Sequence, residues 1–124
     1  MSHQIHIRVG EVQLRAELND SDTAKSIHNA LPIAAAANRW GEEIYFEIPV
    51  DEPLTAEASE NVHVGELGYW PPGKAFCIFF GPTPASTGDA PRAASPVNRI
   101  GRVLDDVRVL ADVPHGAEVR LERA

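Results

Sequence analysis

The chain has 124 residues, 44% of them hydrophobic, with eleven Lys and Arg against eighteen Asp and Glu and a net charge of −7. That length fits a single domain over residues 1–124, and an acidic chain without a Lys/Arg cluster has no electrostatic footprint for a nucleic-acid backbone. No run is long and apolar enough to cross a bilayer, and no basic-then-apolar leader pattern opens the sequence, so the expectation is a cytoplasmic protein without nucleic-acid or membrane partners.

The first twenty residues read as a hairpin. Ile5, Ile7 and Val9 alternate with His6 and Arg8, and Val12, Leu14, Ala16 and Leu18 alternate with Gln13, Arg15 and Glu17. A period of two puts one face in a core and one in water. Gly10-Glu11 suits the two-residue turn between them. Asn19-Asp20-Ser21-Asp22 then offers side-chain oxygens to cap a helix, Ala24, Ile27 and Leu31 follow at helical spacing, and Pro32 stops it.

Strand patterns return over 33–37 and again at Ile44, Phe46 and Ile48, which alternate with Glu43, Tyr45 and Glu47. Residues 49–61 are acidic, carry two prolines and read as a loop or weak edge. Two more strands are expected over 64–70 and 75–80; the second, Ala75-Phe76-Cys77-Ile78-Phe79-Phe80, is apolar on both faces and so central. Residues 81–96, rich in Pro, Ala, Ser, Thr and Gly, read as a long loop of the kind that forms lids or binding surfaces. A strand over 97–103, a short helix over 105–113 and a closing strand over 118–122 complete the chain. Short strands, two short helices and Gly/Pro punctuation predict a mainly antiparallel closed sheet or barrel.

Gly68 to Lys74 fits the start of a phosphate-loop pattern, but Ala75 stands where the magnesium-binding hydroxyl belongs. Pro71 and Pro72 have no N–H for a phosphate, and a strand follows instead of a helix, so a rigid strand exit is the better reading. Cys77, the only cysteine, can form neither an internal disulfide nor a Cys-based zinc site, and mid-strand it reads as a buried thiol. The five histidines show no ligand spacing, so neither metal nor cofactor is expected. Glu42 and Glu43 are adjacent and face opposite ways on a strand, which argues against a catalytic pair; Glu42 belongs to a turn and Glu43 to an outer face. Arg39 reads as a solvated turn arginine.

The segment Tyr69-Trp70-Pro71-Pro72 precedes the central strand, whose alternation sends Ala75, Cys77 and Phe79 one way and Phe76, Ile78 and Phe80 the other. One set fills a core; the other lies under the 81–96 loop, where an apolar aromatic groove for a small molecule or peptide fits as well as ordinary core does. The expected ligand-binding residues are Trp40, Glu43, Tyr69, Trp70, Phe76, Phe79, Thr83 and Asn98. Gly81 to Pro84 is expected to form a rigid pocket wall presenting the Thr83 hydroxyl, followed by a mobile tip near Thr87-Gly88-Asp89.

The chain resembles the small cyclophilin-like proteins of bacteria and archaea. The resemblance is carried by Leu31-Pro32, by 39–46 (Arg-Trp-Gly-Glu-Glu-Ile-Tyr-Phe), by 65–76 with its Tyr-Trp-Pro-Pro-Gly, by Phe79-Phe80-Gly81-Pro82-Thr83-Pro84 and by 97–103. It implies a closed, cyclophilin-like eight-stranded β-barrel with a helix at each end. True cyclophilins isomerise prolyl bonds with an arginine in a Phe-His-Arg motif, followed by a Gln-Gly-Gly-Asp stretch. Neither motif occurs here, so the barrel is expected without prolyl isomerase activity. A divergent isomerase, or another enzyme using Glu43, Thr83 or Asn98 in the same pocket, is the alternative. Function resides in the site and not in the fold.

Overall fold

β1 (His3–Val9) and β2 (Val12–Leu18) pair antiparallel in unbroken register from His3↔Leu18 to Val9↔Val12, in a computed structural model that describes residues 3–124. Gly10 turns the hairpin at φ +60°, a conformation that side-chain-bearing residues resist. Helix α1 (Asp22–Ala30) starts where Ser21 accepts the Ala24 N–H at 3.2 Å. Its apolar stripe buries Ala24 and Ile27.

The remaining strands are β3 (Ile33–Ala36), β4 (Asn38–Arg39), β5 (Glu43–Glu47), β6 (Ser59–Asn61), β7 (Glu66–Trp70), β8 (Ala75–Phe79), β9 (Arg92–Val103) and β10 (Glu118–Arg123). A single 3₁₀ turn, Pro71–Gly73, joins β7 to β8, so the phosphate-loop-like segment is a strand-to-strand turn. The second expected helix is 3₁₀, Val107–Asp112, capped by Asp106.

The closed eight-stranded barrel is not what forms. The sheet is open and has ten strands, in the order β3-β10-β1-β2-β9-β7-β8-β5-β4, with β6 paired to β9 off that path. The two ends of the path, β3 and β4, are successive pieces of one chain that meet end to end at Ala37. Ala37 spends its backbone groups on the β10 side, donating to Ala117 and accepting from Gly116. No ladder pairs β3 with β4.

Two further expectations are corrected. Residues 92–96, expected as part of a loop, open β9, which is twelve residues long and includes Pro96. The pairing with β6 shifts register between Ser59↔Val97 and Asn61↔Arg92, and such an irregularity at an edge accommodates a residue without an N–H. Arg39 is no solvated arginine either. It donates to the carbonyls of Gly41, Ala111 and Val113 and lies 5.1 Å over the Phe80 ring, tying the β4–β5 turn to the second 3₁₀ segment.

Alternation along the central strands builds two separate packings. Ile44 and Phe46 of β5, Leu67 and Tyr69 of β7 and Phe76 and Ile78 of β8 enter the main core with the hairpin, α1 and β10; Phe46 and Phe76 stack at 5.3 Å. Ala75, Cys77 and Phe79 point to the other face. There they meet Val62, Ala93 and Val97, with Tyr45 and Trp70 partly buried at the margin.

Candidate functional site

The second packing borders a cavity of about 250 Å³ that opens to the surface, lined by Trp40, Glu43, Tyr45, Trp70, Ala93, Ala94 and Val97. Each wall follows from local structure. Trp40 and Glu43 exchange backbone hydrogen bonds at 3.0 and 3.2 Å across the β4–β5 turn, which sets the indole and the carboxyl side by side. Tyr45 shares the Glu43 face because it lies two residues on in β5. The Trp70 indole N–H donates to the Ser95 hydroxyl at 2.6 Å and so fixes its ring against β9. Gly68 lets β9 approach closely, since a Cβ there would lie 2.8 Å from a Val97 methyl.

Glu43 sits on the outer face of the sheet, as its alternation predicts, yet it is only 6% exposed and shares a cavity with the start of β9. Its electrostatic neighbour is the Cys77 thiol, and no salt bridge reaches it among the described residues. Burial pushes its pKa up to about 7, against a slight lowering by the thiol. Near neutral pH this carboxyl can therefore either accept or donate a proton, the behaviour of a group in a functional cleft. Burial and the Glu43 charge hold the Cys77 thiol well above its usual range, which favours the neutral thiol.

Of the eight residues expected to bind a ligand, Trp40, Glu43 and Trp70 line this cavity, and Phe79 packs beneath it in the second cluster. The other four lie elsewhere. Phe76 is in the main core. Tyr69 is buried there too, with its hydroxyl donating to the Val50 carbonyl at 2.6 Å and accepting from the Glu52 amide at 3.2 Å. Thr83 donates its hydroxyl to the Arg92 carbonyl, so it fastens the 81–91 loop to β9 instead of facing the cavity.

Asn98, 2% exposed, binds Thr23, Pro53 and Thr55. It borders a separate polar depression shared with Ser21, Asp22 and Thr55. Tyr45, Ala93, Ala94 and Val97 were not anticipated. Tyr45 was findable, because the same alternation that placed Glu43 places it alongside; the β9 residues were hidden in a segment that reads as loop.

Among the described residues, no three His, Cys, Asp or Glu gather where they could hold a metal ion, and no helix is long and apolar enough to cross a membrane.

A mainly β chain with this open sheet and an aromatic-walled cavity belongs to the Cyclophilin-like family, whose model matches residues 3–122. The solution structure of the hypothetical protein AF2241 from Archaeoglobus fulgidus is similar to it, with a TM-score of 0.83, 39% identity and coverage of 99% of this chain and 95% of that one. The structure of McbB in complex with tryptophan is similar at a TM-score of 0.69 and 14% identity, over 97% of this chain and 44% of that one, a likeness of fold alone. A comparison with curated proteins gave no match.

Proposed function

We propose that this protein is a binding module that takes a small, largely apolar molecule into the cavity bounded by Trp40, Glu43, Tyr45 and Trp70. The observation that carries the reading is a preformed cavity of about 250 Å³ in which three aromatic side chains surround one nearly buried carboxyl. Binding sites combine an apolar wall with a few placed polar groups in this way. A cavity of ~150 Å³ already holds benzene, so the volume suits a one- or two-ring compound or a single side chain of a peptide.

The test is a titration with benzyl alcohol, a neutral ring probe, followed by NMR at the indole N–H resonances of Trp40 and Trp70. Both are expected to shift saturably, and Ala93→Phe, which fills the cavity, is expected to abolish the shifts in a protein that keeps its strand resonances. Shifts confined to other residues would overturn the reading.

A further inference from the structure

The cavity wall carries one ionisable carboxyl and no Lys, Arg or His. The cations closest in sequence are engaged elsewhere: Arg92 with Glu60 at 3.2 Å, and Arg39 with three backbone carbonyls. An anionic ligand would meet Glu43 with nothing to neutralise either charge. The contrast with Glu66 is instructive. Its side chain is also largely withdrawn from water, and there the fold supplies Arg99 at 2.6 Å. Glu43 is more deeply buried and has only a thiol beside it, a weak donor. Its remaining acceptor capacity is turned toward the cavity. Aromatic rings attract cations through their negative faces, and three such side chains border the same space. The chain's net charge of −7 adds a long-range pull of the same sign.

We infer that the cavity takes an organic cation: a ring-bearing amine whose ammonium pairs with the Glu43 carboxylate while its ring lies among Trp40, Tyr45 and Trp70. The inference rests on the binding reading above and adds the charge and functional group of the ligand. It also explains why an acid is buried without a basic partner, since the partner arrives with the ligand. The titratable groups facing Glu43 are Cys77 from β8 and Tyr45 from its own strand, and β9 presents only Ala93, Ala94 and Val97. The proton displaced when an ammonium binds is therefore that of Glu43. Affinity for the amine then rises with pH while the amine itself stays charged.

The experiment compares three probes of one shape by calorimetry and by the two indole N–H resonances: 2-phenylethylamine, 2-phenylethanol and 3-phenylpropanoate. At pH 7.5 the amine is expected to bind at least about tenfold more tightly than the alcohol, the propanoate not at all, with charge-assisted hydrogen bonding supplying the difference. Between pH 5.5 and 7.5 the amine's affinity is expected to rise roughly 20-fold, as the ionised fraction of a group titrating near neutrality does. In Glu43→Gln the amine is expected to lose both its preference over the alcohol and its pH dependence. Equal binding of amine and alcohol, or an affinity independent of pH, overturns the cation inference and leaves the cavity reading standing. No shift of either indole with any probe overturns both.

Discussion

Replacing Glu43 by Gln keeps the size of the side chain and removes its charge. In the folded chain, burial raises the Glu43 pKa from 4.5 to about 7. An acid raised in this way still holds its proton in the native state over a pH range where the unfolded chain has lost it. The native state is therefore favoured at low pH, and stability is lost as pH rises from the unfolded value through the folded one. At about 1.36 kcal/mol per pKa unit the whole loss is roughly 3 kcal/mol, and the part falling between pH 5 and pH 8 is about 2.5 kcal/mol. Glu43→Gln does not titrate at this position, so its stability relative to the wild type is expected to climb by about 2.5 kcal/mol over that interval. Urea unfolding at both pH values, followed by tryptophan fluorescence, measures the two differences. Carboxylates common to both proteins cancel in the comparison. A difference that stays constant with pH would mean that Glu43 ionises like a surface acid, and the account of the site would fail.

Two further substitutions test how the segment between β5 and β6 is held. Tyr69→Phe leaves the Val50 carbonyl and the Glu52 amide without their partner; a loss of about 1–3 kcal/mol in urea unfolding is expected, and an unchanged midpoint would refute it. Asn98→Ala removes the contacts to Thr23, Pro53 and Thr55 at once. The Thr55 amide is expected to exchange with deuterium faster while the β1–β2 ladder keeps its protection, so uniform exchange across the chain would contradict this local anchoring role.

Strict alternation made the hairpin and β5 legible in the sequence, because a half-buried strand writes its burial pattern directly into side-chain hydrophobicity, while β8 was legible as a short run apolar on both faces. The Ser21 cap and the stop at Pro32 marked α1 for equally local reasons. What stayed hidden depends on distant partners. Residues 92–96 look like loop because Ala, Ser and Pro carry little strand preference, yet pairing with β6 and the anchor from Trp70 to Ser95 make them a wall. The two-residue β4 is too short for any period to register.

The open path of strands has a similar cause. Which strands pair at its two ends, β10 with β3 and β5 with β4, is not encoded in hydrophobic patterning. The site was half legible: Trp40, Glu43 and Trp70 stood out by residue type, whereas the β9 residues that line the same cavity lie some fifty residues away from Glu43. Tyr69 and Asn98 stood out for the same reason of residue type, and each instead satisfies backbone and side-chain groups inside the fold.

The split along β8 has a consequence for how such a protein can change. Phe76 and Ile78 belong to the large core, while Ala75, Cys77 and Phe79 belong to the cavity side. Neighbouring positions on one strand thus answer to different demands. Substitutions at the second set, or at Ala93 and Val97 opposite, alter the size and shape of the chamber without touching the residues that hold the sheet to α1 and the hairpin. The two sets are neighbours along one strand and both are buried, so a change on the cavity side is felt in packing as well as in the shape of the chamber.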